Sequence, residues 1–484
     1  MFVPAAAVAL IRHQAELEVL MVRRAENQRA FPGFWVFPGG VVDPGDRATM
    51  GLEASADAAF RGCALRELFE ETGLLPGYAE PGELGDLQQD LLAGRISWEQ
   101  LCRQLDHQPP SAALIGLGLR VMPAIAPRRF ETHYFLWADP GFQFLPACKL
   151  SPELTESGWF APAELLKRWE SGVILIPPPV LEVLKVLADH GVDLDRLRAL
   201  ANTRETLPQS LVMHPGVEMI PLRTPTLAPA THTNCYLVGE SRFVIIDPAT
   251  PYPEEQAVLK QSLQRRLDLG HQPLAVLLTH HHRDHVGAAE FVRNWLRVPI
   301  CAHLETAALL GFGVDESVAD GQRWSLDPAT NWSLEALFTP GHAPGHLCFV
   351  ESRHRAAIVG DMLAGIGTIL IKRPRGDMGQ YLASLQRLAK AGLSRGLPAH
   401  GPLIADLPAR CHEYIAHRRM REERILAALD AGPLPETELL QRVYGELAPE
   451  LLPIASWSLD AHLQHLRQGL AISLTEGLWC VCRD

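Results

Sequence analysis

The stretch THHHRDHVG at 279–287 follows the apolar run LAVLL at 274–278. A short apolar run ending in a polar loop reads as a buried strand whose exit exposes each side chain in turn. His280, His282, Asp284 and His285 are then compactly spaced enough to serve two adjacent metal ions. Imidazole and carboxylate suit Zn²⁺, or Fe and Mn. A lone histidine cluster could equally be a surface metal scavenger. Three further residues argue against that: His342 in TPGHAPGH, Asp361 at the end of AAIVGD and His400 in LPAHG. Each sits in a Gly/Pro loop or at a strand end.

Around this stretch, YLVG, RFVIID, LAVLLTH, VPICAH, LCFV and AAIVGD are short apolar runs that alternate with helical segments over 210–408. Most end at a polar or metal-binding residue, and strand ends feeding loops are where α/β sites are built. Beyond them, 409–484 reads as helices 413–430, 435–444 and 453–468, then a hairpin carrying AISL and LWCVC. Three helices plus a β wing predict a winged-helix module. The basic run AHRRMREER is interleaved with glutamates, which favours packing or substrate gating over nucleic-acid binding. Upstream, 1–205 mixes the strand-like runs VPAAAVALI, LEVLMVRR and HYFLWA with a helix around 56–72. It closes in a charged helical run from Leu181, read here as a linker.

The seven metal-type residues together resemble the metallo-β-lactamase fold superfamily. The resemblance implies an αβ/βα sandwich with one metal on His280, His282 and His342 and a second on Asp284, His285 and His400. Asp361 bridges them, and Asp284 can also hold the nucleophile's proton. PAHG replaces the family's usual PGHG at Ala399. Within the superfamily, TNCYLVG (233–239), GTILI (367–371) and the run from Asp377 to Leu385 resemble the β-lactamase-like protein 2 group, whose members carry a C-terminal winged helix. His303 and His346 are extra histidines near the motifs, read as core residues or as supports of the ligands.

A second constellation lies at 66–74, RELFEETGL. On a helix Glu67, Glu70 and Glu71 share one face, and like charges so close call for a counter-cation. Mg²⁺ or Mn²⁺ fits: a hard ion that takes oxygen ligands and bridges to phosphates. The plainer alternative is a solvated acidic face. FPGG at 37–40 is a tight turn that lets backbone approach a ligand. These residues resemble the Nudix box, which implies an α/β/α sandwich that cleaves nucleoside diphosphate derivatives. Arg66 would orient the glutamates, with Glu71 and Glu131 as candidate bases. The first half of the box departs: Asp46 stands at the glutamate spacing after Gly40, and an insertion separates it from Arg66. Such an interruption, with RRFETHYF at 128–135, resembles coenzyme A diphosphatases. So does the placing of Arg24, Ala25, Arg29 and Gly33 ahead of FPGG, although Met21 and Val22 depart. Arg24, Arg29, Gly39 and Gly40 are the implied substrate-binding residues.

Composition sets the frame. The chain has 484 residues, 47% hydrophobic and 21% charged, with a formal net charge of −12. That is ordinary for globular domains, and the acidic balance argues against a general nucleic-acid-coating role. Nine scattered cysteines form no disulfide framework. Cys480 and Cys482 read as two inward positions of a terminal strand. No basic n-region opens the chain and no apolar run is long enough for a membrane helix, so a cytoplasmic protein is expected. The reading is therefore a multidomain α/β hydrolase: a Nudix domain at 1–205, a metallo-β-lactamase-fold domain at 210–408 and a small winged-helix domain at 409–484. The first would act on coenzyme A or an acyl derivative. The second would cleave an ester or thioester, or alternatively single-stranded RNA, with two Zn²⁺, Fe or Mn. The sequence leaves the oligomeric state open, a dimer being one option.

Overall fold

The computed structural model describes residues 2–26, 28, 31–47, 57–78, 84–107, 111–121, 129–138, 150–200 and 210–482. The chain folds as two compact units, Met1–His214 and Pro215–Asp484.

In the first unit, the run predicted at VPAAAVALI forms the strand Val3–His13 at the middle of a mixed sheet. It pairs antiparallel with Leu17–Arg24 and parallel with Phe130–Ala138. Side chains alternate across a strand, so its two faces feed two cores. Ala6, Val8 and Leu10 pack with Cys63, Leu65, Leu68 and Phe69 of the helix Ala58–Thr72. Ala7, Ala9 and Ile11 pack with Leu165, Trp169 and Leu184 on the opposite face. A strand buried on both faces reads as a continuous apolar run rather than an alternating one. The result is an α/β/α sandwich.

The charged run from Leu181 is not a linker. It forms Pro178–His190 and Leu194–Ala199, and Val180, Leu181, Leu184, Leu187 and Leu197 are buried in the second of these cores. Their spacing makes one apolar stripe beneath a charged outer face. Gly73 ends the Ala58–Thr72 helix in the left-handed region, at φ 70°, and donates its N–H to Phe69.

The second unit contains two sheets. One includes Gln272–Leu277, Arg242–Ile246, His232–Gly239 and Val217–Arg223 as successive neighbours. The helices Pro253–Asp268 and Ala289–Leu296 cover it, burying Leu259, Leu263 and Val292. The other runs Arg323–Asp327, Trp332–Phe338, Leu347–Glu351, Ala356–Gly360 and Arg395–Pro398. Met378–Ala389 and the start of Leu407–Asp430 cover it through Tyr381, Leu385, Cys411 and Tyr414. This is the expected αβ/βα arrangement.

Residues 409–484 lie within this second unit and build a core of their own from Ile425, Leu439, Leu459, Leu463 and Trp479. Its helices are Leu407–Asp430, Glu436–Tyr444 and Leu452–Gln468, followed by the hairpin of Ile472–Thr475 and Leu478–Val481. The first helix begins earlier than 413 because Asp406 caps it, accepting from the Ala409 N–H, with proline in its first turn. Cys480 is half-buried beside Ser473 and Cys482 is exposed, so the terminal pair does not point inward together. Among the described residues no helix is long and apolar enough to cross a membrane.

Asn234 joins the two sheets. Its buried amide donates to the carbonyls of Pro398 and Gly401, both at 2.9 Å, while its backbone N–H donates to Ala399 at 2.7 Å. Asn234→Ala takes the side-chain donor from the Gly401 carbonyl and leaves that of Pro398 to the Tyr236 hydroxyl alone, 2.7 Å away, and should cost about 2 kcal/mol. Asn234→Asp should cost more, because a carboxylate faces those oxygens. Urea unfolding of the full chain checks both.

Candidate metal and catalytic sites

The 279–287 loop is shaped by Asp247, at the end of the strand Arg242–Ile246. Its carboxylate accepts from the Thr279 N–H at 2.8 Å and the Thr279 hydroxyl at 2.6 Å. The same carboxylate lies 2.8 Å from His285 Nδ1. His282 then stands before the one-turn helix Arg283–Val286, which turns Asp284 and His285 away from it.

Two groups of ligand atoms result, each gathered within 4.8 Å: His280, His282, His342 and Asp361, and Asp284, His285 and His400. The Asp361 carboxylate touches both groups, at 3.3 Å from His342 Nε2, 3.6 Å from His285 Nε2 and 3.3 Å from His400 Nε2. Asp284 lies 3.6 Å from His400 Nε2. The remote nitrogens are anchored: His342 Nδ1 sits 2.8 Å from the Leu370 carbonyl and His400 Nδ1 sits 3.0 Å from that of His232. A donor N–H on the far side fixes the tautomer and leaves Nε2 free to ligate.

Burial, then the neighbouring imidazoles, pushes His280 far below the usual histidine range and His282 down to about 2. Burial opposes ionisation of Asp361, yet His400 and His285 hold it well below the carboxylate range. The same pairing draws His285 and His400 upward, so these two must give up a proton when a metal binds, whereas His280 and His282 already offer neutral nitrogens. His285 Nε2 and Asp361 Oδ1 are buried with no hydrogen-bond partner. Orphaned polar atoms of this kind, all aimed at one place, fit a pair of borderline divalent cations with five imidazole and two carboxylate ligands.

His346 supports the cluster: its Nε2 accepts from the Asp361 N–H at 3.1 Å. A Cβ on Gly360 would lie 2.7 Å from that same Nε2, so the strand passes it without a side chain. His303 has another job. It accepts from the Glu305 N–H and stacks on Phe338 with centroids 4.4 Å apart. Asp247 and Asn234 are supports that lie outside the metal-binding motifs. The signal for Asp247 was present in RFVIID, an acid at a strand end.

In the first unit Arg66 is nearly buried and holds three carboxylates. It donates to Asp46 at 2.7 Å, Glu67 at 2.9 Å and Glu70 at 2.8 Å. Asp46, where the box resembled has glutamate, is fully buried and serves as the anchor of Arg66. Glu71 instead accepts from the Gly39 N–H at 3.0 Å and lies 4.0 Å from Arg24. A Cβ on Gly40 would come within 2.3 Å of Glu67 Oε1, so a side chain in the FPGG turn there would displace the Glu67 carboxylate. The three glutamates do not gather into a group as tight as the histidine cluster. Burial raises all three carboxyls, Glu67 to about 7, against the pull of Arg66 on Glu67 and Glu70 and of Arg24 on Glu71. Carboxylates so enclosed fit a hard divalent cation as counter-charge. Glu131 is the second residue of the strand Phe130–Ala138, in register with Pro4 and Val121. Arg29 and Arg128 lie outside the described residues.

Residues 228–400 match the metallo-beta-lactamase superfamily and residues 1–175 match the NUDIX domain. The "Lactamase-like protein adaB" of Aspergillus niger is 30% identical over 314 residues, 62% of this chain and 87% of that protein. The chain belongs to the metallo-β-lactamase superfamily. Its first unit is a NUDIX domain, and the protein is a metal-dependent hydrolase. The "Atrochrysone carboxyl ACP thioesterase" of Claviceps purpurea is 31% identical over 266 residues, 53% of this chain and 81% of that protein. A beta-lactamase domain protein from Burkholderia ambifaria shares the fold, at 19% identity and a TM-score of 0.51, covering 58% of this chain and 96% of that one.

Asp361→Ala removes the carboxylate common to both ligand groups. Elemental analysis should find about two ions per second unit in the parent protein and fewer than one in the variant.

Proposed function

We propose that the protein is bifunctional. Its first domain splits the diphosphate of coenzyme A or an acyl-coenzyme A, and its metallo-β-lactamase-fold domain hydrolyses a thioester. Residues 1–205, 210–408 and 409–484 form the two catalytic domains and a winged-helix-like cap. The observation that carries the hydrolase reading is the single carboxylate of Asp361 within reach of both ligand groups. For the first domain, Arg24 standing beside Glu71 supports a phosphate-bearing substrate.

His280, His282 and His342 would hold one ion, and Asp284, His285 and His400 the other. When bound, Zn²⁺, Fe or Mn polarises a carbonyl and lets water attack at neutral pH. The chain supplies the rest. Asp247 and His346 keep His285 and Asp361 in place, and Asp284 is positioned to hold a proton near the attacked carbonyl. In the first domain Glu67, Glu70 and Glu71 would hold Mg²⁺ or Mn²⁺, which neutralises charge developing on a diphosphate. Arg66 aligns Glu67 and Glu70, and the Gly39 N–H aligns Glu71. Arg24, with Arg29, would meet the substrate's phosphates through planar, bidentate contacts.

Thioester substrates rest on shared chemistry: acyl carrier proteins, named for the Claviceps relative, and coenzyme A both present an acyl group on a phosphopantetheine sulfur. The acidic balance of −12 supports small metabolites over RNA.

Mass spectrometry after incubation with acetyl-coenzyme A, Mg²⁺ and Zn²⁺ tests both activities. The expected products are 3′,5′-ADP with acetyl-phosphopantetheine from the first domain, and free thiol with acetate from the second. Glu70→Gln with Glu71→Gln should lower diphosphate cleavage by about 100-fold or more and spare thioester cleavage. Asp361→Ala should do the reverse. Intact substrate with the parent enzyme would overturn the reading and direct attention to capped nucleotides and single-stranded RNA.

A further inference from the structure

The loop Ile371–Gly376, IKRPRG, concentrates three cations in a chain whose net charge is −12. It is tied at both ends to the turn that carries His342. The Leu370 carbonyl lies 2.8 Å from His342 Nδ1, and the Asp377 N–H donates to the Gly341 carbonyl at 2.7 Å. The loop also closes on itself, with the Gly376 N–H donating to the Lys372 carbonyl at 2.7 Å. Two of its cations are already occupied by the helix Leu452–Gln468. Arg373 pairs with Asp460 at 3.2 Å, and Lys372 lies over the Trp457 ring at 3.7 Å.

Arg375 is different. Its guanidinium lies 3.4 Å from His281 Nε2, and His281 stands between the ligands His280 and His282. The His281 ring centroid is 4.7 Å from that of His282. Among the described residues no carboxylate forms an ion pair with Arg375. Arg375 is exposed on an anchored loop at the rim of the metal cluster, beside His281, which leaves the place of its counter-anion open. An anion on Arg375 would lie beside His281, the neighbour in sequence of His280 and His282. The phosphate of a phosphopantetheine arm lies many bonds from the sulfur, too far along an extended chain for that place. A carboxylate on the acyl group does not.

We infer that Arg375 is a specificity-determining residue that selects acyl groups bearing a carboxylate near the thioester. The inference rests on the thioesterase reading above. An arginine fork matches a carboxylate bidentately, and a group that binds the acyl end tells substrates apart where the carrier is common to all.

The test compares succinyl-coenzyme A with butyryl-coenzyme A, followed by thiol release from the full, Zn²⁺-loaded chain. The expected result is a kcat/KM ratio favouring succinyl-coenzyme A, with Arg375→Ala lowering that ratio about tenfold or more and Arg375→Lys restoring part of it. An unchanged ratio in Arg375→Ala would overturn the inference while leaving thioester hydrolysis standing. An equal loss on butyryl-coenzyme A, whose anions are the carrier phosphates alone, would assign Arg375 to those phosphates and overturn it too. If the parent enzyme hydrolyses neither thioester, the thioesterase reading fails. Calorimetric titration with succinate then decides the anion site alone: binding weakened by Arg375→Ala supports it, and equal binding rejects it.

Discussion

Asp361 is the constraint around which the second unit is arranged. One nearly buried carboxylate faces His342, His285 and His400, imidazoles delivered by three separate loops. Its charge survives burial because His400 and His285 favour the ionised form. Such an arrangement is costly in a protein interior unless something pairs with it. The surrounding structure therefore has to hold polar atoms in place without satisfying all of them. Asp247 grips the 279–287 loop, His346 takes the Asp361 N–H, and two backbone carbonyls steady His342 and His400. Asn234 then ties the His400 loop to the neighbouring sheet.

The first unit meets a similar problem with the opposite instrument. Its carboxylates are pulled together by a resident cation, Arg66, rather than left open for a metal alone. Arg66 reaches Asp46, Glu67 and Glu70, while Glu71 turns to the Gly39 N–H and to Arg24. The same turn of helix thus presents one group of acids to an arginine and one acid to the glycine turn. This division explains why Asp46 is fully buried and why Gly40 carries no side chain.

Long apolar runs and metal-type residues at strand ends were legible because their signals are local. VPAAAVALI, RFVIID and AAIVGD form strands, and the structure gathers the seven metal-type side chains into two groups. The charged run from Leu181 was misread because its outer face is polar, while the stripe of Val180, Leu184 and Leu187 that docks it is short. Nearness to the motifs leaves His303 open as a core residue or a support of the ligands; in the structure it caps a short helix and stacks on Phe338.

By itself the sequence determined the chemistry on offer: which residues could ligate, which helix carries the acids, and where each apolar run must be buried. Those properties follow from side-chain type and spacing of 2 or 3.6 residues. Only the tertiary structure decided the pairings: Arg66 with Asp46, Asp247 with His285, and Arg375 with His281. Each joins residues 20 or more positions apart, a separation at which neither helical nor strand periodicity carries information, so packing alone sets which groups meet.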